Sequence, residues 1–308
     1  MTVFVFSGGG SNGAAQVGML EELYARGITP DAVVGVSAGA LNAVGLATDP
    51  VEWYARVHQA WHAAAHNGIF RQSPSRAVWA ILRHRVSIDS GALLHNILTD
   101  HLTVTRLEDC VLPIRIGTVV LATGEMRWHS SGSAYDILKA SCAIPGILPP
   151  VLIDGELHVD GGVCSPVPVA AAIEFAPTRL VVLDVSRTAE DHAETMVDPT
   201  ALTVLLRSFE AARRRVAAAE LAALTPDLEL IYIRTGADNA FGETTLAKMN
   251  ALIDDGRRAA REVLDALAPI PNSAMSLSAS GPRPAPRVPR VTKRDLVTTR
   301  TRASRRRS

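Results

Sequence analysis

The sequence predicts an α/β protein, a three-layer α/β/α fold with a mainly parallel central sheet, on three observations. Two strand–loop–helix units follow one another within the first fifty residues. The apolar run Leu180 to Val185 is continuous rather than alternating, as in a parallel strand buried on both faces. After it, a long helix-period segment (Thr200 to Leu224), a strand (Leu228 to Ile233) and a closing helix (Glu243 to Leu267) continue the alternation.

The first unit starts with the strand Val3 to Phe6. A loop follows, Ser7-Gly8-Gly9-Gly10-Ser11-Asn12-Gly13, and then a helix from about Ala14 to Arg26 with Val17, Leu20, Leu23 and Tyr24 at helical spacing. Four glycines leave almost no side-chain bulk between strand and helix. Bare N–H groups at a helix N-terminus suit a negative charge, so this loop reads as an anion site. The anion is either a bound phosphate or one made during catalysis.

The second unit is the Val-rich run Ala32 to Val36, followed by Gly35-Val36-Ser37-Ala38-Gly39 and a small-residue helix, Ala38 to Ala47. G-x-S-x-G is the nucleophile-elbow pattern, and here it falls where a strand gives way to a helix. A serine on so sharp a turn needs small neighbours two residues away on either side, Gly35 and Gly39. Its Oγ then stands at a helix N-terminus, where alkoxide character is favoured. Ser37 is the candidate nucleophile.

The stretch from Asp49 to Asp109 reads as mostly helical and carries Trp53, Trp61 and Trp79. Within it, Arg76 to Val86 is amphipathic and basic, first a core-facing helix and secondly a lid or membrane-contact helix. Leu112 to Val120 reads as a strand, with Met126 to His129 as its hairpin partner across the Thr123-Gly124-Glu125 turn. A short helix at Asp136 to Cys142 leads into a proline-rich loop, Ile144 to Pro150. A small hairpin, Val151 to Ile153 with Leu157 to Val159, then delivers Asp160-Gly161-Gly162 to its end.

A nucleophilic serine needs a base. His58, His62 and His66 recur at four-residue spacing and read as a surface stripe, and none of the nine histidines has an obvious strand-end or loop signature. Asp160 is the better candidate, because the two glycines after it leave a carboxylate accessible at a strand end. An unperturbed Asp, with a pKa of about 3.9, is a weak base, so it has to be partly desolvated and in contact with the serine. Asp31 and Asp184 read as caps or structural acids.

The glycine loop can now be weighed. Gly8, Gly10 and Gly13 fit the dinucleotide fingerprint, but the end of the second strand holds Ser37 where that reading needs an acid. A phosphate loop needs Lys-Ser/Thr after its last glycine, and Ala14-Ala15 stand there. Both phosphate readings weaken, and the better reading of the anion is the tetrahedral oxyanion of acyl transfer, held by the N–H groups of Gly9 and Gly10, with a nucleotide-binding loop as the second hypothesis.

These pieces, in order, resemble the patatin-like phospholipases. The resemblance rests on Gly8-Gly9-Gly10 with Gly13, on Gly35-x-Ser37-x-Gly39, on Asp160-Gly161-Gly162, and on the Ala140-Ser141-Cys142-Ala143-Ile144-Pro145 stretch ahead of the aspartate. It spans about Val3 to Leu267. It implies a patatin-like fold, a Ser37–Asp160 dyad without histidine, an oxyanion hole on Gly8, Gly9, Gly10 and Gly13, and hydrolysis of a lipid acyl ester without metal or other cofactor. The substrate class it implies is phospholipid or lysophospholipid. One position departs: the family's loop commonly carries Arg or Lys before its last glycine, and here Asn12 stands there. Asn12 is the sequence feature that favours the alternative, a weakly active or inactive patatin-like module that binds lipid or another anion.

Composition sets the remaining expectations. The net charge of zero is a cancellation: from Gly281 to Ser308 there are ten Lys/Arg against one acid, leaving an acidic body. Two segments follow, an acyl hydrolase domain at 1–271 and a basic, Pro/Ser/Arg-rich tail at 272–308 that is expected to be disordered and suited to an anionic membrane. No specific nucleic-acid partner is expected. Three cysteines without CxxC pairing or zinc spacing suggest a reducing compartment and no metal site. Without a signal-peptide pattern or an apolar run of membrane-spanning length, the expected location is cytoplasmic, with peripheral membrane contact.

Overall fold

In the computed structural model, β1 (Thr2–Phe6) lies inside an eight-stranded sheet of order β5-β6-β3-β2-β1-β7-β8, with β4 paired to β3. The strands are β2 (Ala32–Gly35), β3 (Ile114–Val120), β4 (Met126–His129), β5 (Val151–Ile153), β6 (Glu156–Asp160), β7 (Arg179–Asp184) and β8 (Glu229–Arg234). The structure describes residues 1–67, 87, 90–186, 201–225, 227–235 and 245–267, all within the unit Met1–Leu277. The basic stretch at 76–86 and the tail at 272–308 lie outside the described residues. Among the described residues no helix is long and apolar enough to cross a membrane.

β1 shows why the sheet is buried on both sides. Phe4 and Phe6 point to one face, Val3 and Val5 to the other, and all four are fully buried. The first face packs on α1 (Ala15–Ala25), α2 (Ala38–Thr48), α3 (Trp53–Asn67) and α8 (Leu246–Ala266). The second packs on α6 (Val169–Ile173) and on Ala217 of α7 (Ala201–Ala222). Each large apolar side chain buried this way stabilises by roughly 1.5–3 kcal/mol, which makes the two-faced strands the backbone of the three-layer fold. β1, β2, β3, β7 and β8 run parallel, while β4, β5 and β6 form the antiparallel side.

Local details refine the expected boundaries. The first helix opens as a 3-10 turn, Gly10–Ala14, before α1 begins, and Gly10 at its start has a left-handed φ of +58°. Its far end is closed by the Gly27 amide on the Tyr24 carbonyl (3.0 Å) and the Ile28 amide on the Leu23 carbonyl (2.9 Å). Within the mostly helical segment, α4 (Ala92–His101) follows α3. The short helix before the proline-rich loop, α5 (Ala134–Ser141), starts earlier than its apolar pattern suggests, since Ser133 caps it by accepting from the Asp136 amide at 3.2 Å.

β3 is the junction that builds the site. Gly35, the last residue of β2, pairs in parallel with Ile116, while Asp160, the last residue of β6, pairs antiparallel with Thr118. The ends of two strands distant in sequence therefore meet at positions two residues apart on one strand.

Candidate active site

Ser37 joins β2 to α2 with φ +56° and ψ −132°, a conformation side-chain-bearing residues rarely adopt. The turn closes because its neighbours lack side chains: a Cβ on Gly35 would lie 2.6 Å from the Gly39 carbonyl oxygen, and one on Gly39 2.4 Å from that of Phe6. The Ser37 amide donates to Ser141 Oγ at 2.9 Å, and that hydroxyl donates to the Gly117 carbonyl at 2.8 Å.

Asp160 faces this serine from the end of β6. Its Oδ1 accepts from the Gly162 amide at 2.7 Å, and it lines the same cleft as Ser37. Burial pushes its pKa above the ordinary carboxylate range, opposed by the Arg213 charge and by the bonds from Ser37 and Gly162. Ser37 and Asp160 are each only 5% exposed and both line a cleft of about 250 Å3.

The glycine loop forms one wall of that cleft through Gly8, Gly9 and Gly10. The Gly8 amide is engaged with the Pro166 carbonyl at 3.0 Å, and a Cβ there would crowd Ser37 Cβ at 3.1 Å. Gly13 is not among the lining residues. A Cβ on it would strike Trp61 at 2.7 Å and Ala38 at 2.8 Å, so it lets the loop approach α2 and α3. Asn12 lines the cleft and is buried. The lining also includes apolar Ile144, Pro145 and Val163, with Phe209, Glu210, Arg213 and Arg214 from α7.

Among the described residues lining the cleft there is no histidine. His158 is turned to Thr118 Oγ1 (2.9 Å), which also meets His129 Nε2 at 2.8 Å. His58 and His62 are half-buried and pack against each other, their ring centroids 4.4 Å apart, rather than forming an exposed stripe. Asp31 and Asp184 are structural: Asp31 Oδ2 accepts from the Thr2 amide at 2.7 Å, and Asp184 accepts from the Tyr232 hydroxyl and the Ser186 amide.

A buried polar chain under the loop has no motif in the sequence. Gln16 Nε2 donates to the carbonyls of Ser7 (3.0 Å) and Leu183 (2.9 Å), Asn42 Nδ2 to Gly13 (2.9 Å) and Gln16 (2.7 Å), and Trp61 Nε1 to Asn42 (2.8 Å). Arg213 was equally hidden, one of several arginines in an Ala/Arg-rich helix.

The family model described as Patatin-like phospholipase matches residues 4–173, which include the loop, the elbow and Asp160. The chain belongs to the patatin-like phospholipase family. Relatives of this patatin-like chain include Lysophospholipase NTE1 of Mycosarcoma maydis, 27% identical over 181 residues, a match covering 59% of this chain and 9% of that protein. Patatin-like phospholipase domain-containing protein 7 of Mus musculus is 26% identical over 183 residues, covering 59% of this chain and 13% of that one. The patatin-like chain thus corresponds to a small part of these relatives. Among solved structures, VipD from Legionella pneumophila is similar with a TM-score of 0.47 and 15% identity, over 86% of this chain and 66% of that one.

Proposed function

We propose that the protein hydrolyses acyl esters of phospholipids or lysophospholipids through an acyl-enzyme on Ser37, with Asp160 as the base. The observation that carries this reading is a strained elbow serine and a buried carboxylate lining one largely apolar cleft. The names of the relatives, lysophospholipase and patatin-like phospholipase, support the same substrate class.

In the first half-reaction the Asp160 carboxylate takes the Ser37 Oγ proton as Oγ bonds to the ester carbonyl carbon. The oxyanion so formed lies against the glycine loop, with the Gly9 and Gly10 amides as donors and the N-terminus of α2 adding its dipole. Collapse breaks the bond to the alcohol oxygen, which leaves with the proton from Asp160. Water then attacks the acyl-enzyme, giving up its proton to Asp160. The fatty acid departs as that proton returns to Ser37 Oγ.

A fluorophosphonate probe and a panel of lysophospholipid, phospholipid and simple acyl esters, applied to wild type and Ser37→Ala, test this. Labelling and hydrolysis are expected in wild type and absent in the variant. Ester hydrolysis retained by Ser37→Ala would sink the proposal.

A further inference from the structure

The cation beside the dyad comes from α7. Arg213 Nε donates to the Gly162 carbonyl at 2.5 Å, and the amide of the same glycine donates to Asp160 Oδ1 at 2.7 Å. One residue thus anchors the base with its N–H and the guanidinium with its C=O. Phe209, one turn earlier on α7, lies under the guanidinium at 5.6 Å from ring centroid to its carbon and restricts its tilt. The guanidinium also approaches the loop on the other side of Ser37: a Cβ on Gly8 would lie 3.1 Å from Ser37 Cβ and 3.6 Å from Arg213 Nη2.

We propose that Arg213 is a positioning residue of the dyad, its guanidinium seated on the Gly162 carbonyl to keep Asp160 a carboxylate facing Ser37. This rests on the Ser37–Asp160 reading above. A buried carboxylate with no nearby cation keeps its proton and cannot accept another from serine. Arg213 supplies that cation from a helix far along the sequence from the loop, whose own position before the last glycine is the neutral Asn12.

The other charged or titratable groups around Asp160 do not do this. The Cys142 thiol, at the end of α5, is buried and stays protonated, since burial and the Asp160 charge push its pKa well up. His158 on β6 is bonded to Thr118 and carries a lowered pKa. On α7, Glu210 faces Arg213 and supports its charge, and Arg214 lines the cleft beside it.

The test is the pH dependence of kcat/KM on a neutral soluble ester for wild type, Arg213→Gln, Arg213→Lys and Gly162→Ala, with Asp160→Asn as control. In Gly162→Ala the new Cβ falls 2.8 Å from Arg213 Nη2 and 3.0 Å from Asp160 Oδ1, so it displaces the guanidinium while Arg213 stays in the chain but also crowds the carboxylate. Should Arg213→Gln not fold, Arg213→Met, which keeps the stem without the charge, takes its place. Removing the guanidinium lets the Asp160 pKa rise. The acid limb therefore moves alkaline by about one pH unit or more in Arg213→Gln and Gly162→Ala, and returns toward wild type in Arg213→Lys. An unmoved acid limb with a uniformly lower plateau would overturn the proposal, as would a rise in KM for phosphate-bearing esters alone, which marks a headgroup contact. If Asp160→Asn hydrolyses the ester as wild type does, the dyad reading itself falls and this role with it. If Asp160→Asn is inactive while the limb stays in place, only the role of Arg213 falls.

Discussion

Ser141 Oγ accepts a hydrogen bond from the Ser37 amide at 2.9 Å and donates its own to the Gly117 carbonyl at 2.8 Å. One fully buried hydroxyl therefore ties the elbow, α5 and the middle of β3 together. Gly117 lies between the two β3 residues that pair with Gly35 and Asp160, so the hydroxyl fixes the serine relative to the strand that also positions Asp160.

Replacing Ser141 by Ala leaves the Ser37 amide and the Gly117 carbonyl without this partner. The expected cost is about 1–3 kcal/mol of stability, since buried polar groups lose their compensation. A serine shifted by even 1 Å loses its alignment with Asp160, so kcat is expected to fall by about tenfold to a hundredfold. Urea denaturation and ester turnover measure the two effects. Wild-type values for both would show that the bond is incidental.

As the proposed base, Asp160 would work only when ionised, and burial raises its pKa above the ordinary value of 3.8. Activity is therefore expected to fall as pH drops through a value higher than an exposed aspartate would give. Asp160→Asn removes the base at every pH and is expected to lose about a thousandfold to ten-thousandfold in kcat, the range seen when triad members are altered. A pH–rate profile flat down to pH 4, or a mild loss in Asp160→Asn, would point to another base.

The candidate residues Ser37 and Asp160 were legible because their signals are local. The G-x-S-x-G around Ser37 and the Asp160-Gly161-Gly162 turn are steric demands written into consecutive residues, and the continuous apolar run of β7 marks a strand buried on both faces. The supporting residues are fixed by tertiary packing instead. Nothing near Arg213 in sequence distinguishes it from Arg207, Arg214 or Arg215; only the placement of α7 over Gly162 does. Gln16 and Asn42 look like ordinary polar residues of helices until the sheet and α3 close over them. Gly13 fits the loop motif, yet its position is explained by contact with Trp61, which lies far along the chain.

Histidines give the fold a pH dependence with a definite sign. Burial pulls His58 down to about 4, helped by the charges of His62 and Arg257, and pulls His129 down to about 4, helped by His158 and Arg127. Unfolded histidine titrates near 6.5, so between about 6.5 and 4 the unfolded chain binds protons that the native state refuses. Their stabilising contribution is whole above that window and is lost as pH falls through it. Asp160 and Glu220, whose pKa values are raised by burial, work in the opposite direction. Single variants separate the two: the urea midpoint of His58→Gln or His129→Gln is expected to drop less between pH 7 and pH 5 than that of wild type. An equal drop in both variants would assign the acid sensitivity to other groups.

Asn42 sits where α1, α2, α3 and the glycine loop converge, donating to Gly13 and Gln16 and accepting from Trp61. Leucine is close to it in size but makes none of these bonds. Asn42→Leu leaves the Gly13 carbonyl, the Gln16 side-chain oxygen and the Trp61 indole N–H short of a buried partner, at about 1–3 kcal/mol each before relaxation. The expected loss is about 3–5 kcal/mol, a large share of the stability of an ordinary domain. The loop also loses its tether, so fluorophosphonate labelling of Ser37 is expected to slow as well. Because the three bonds share one side chain, their effects do not add. Adding Trp61→Phe to Asn42→Leu removes one orphaned donor and is expected to cost less than the sum of the two single changes. Strict additivity in urea denaturation would show that these groups do not act as one network.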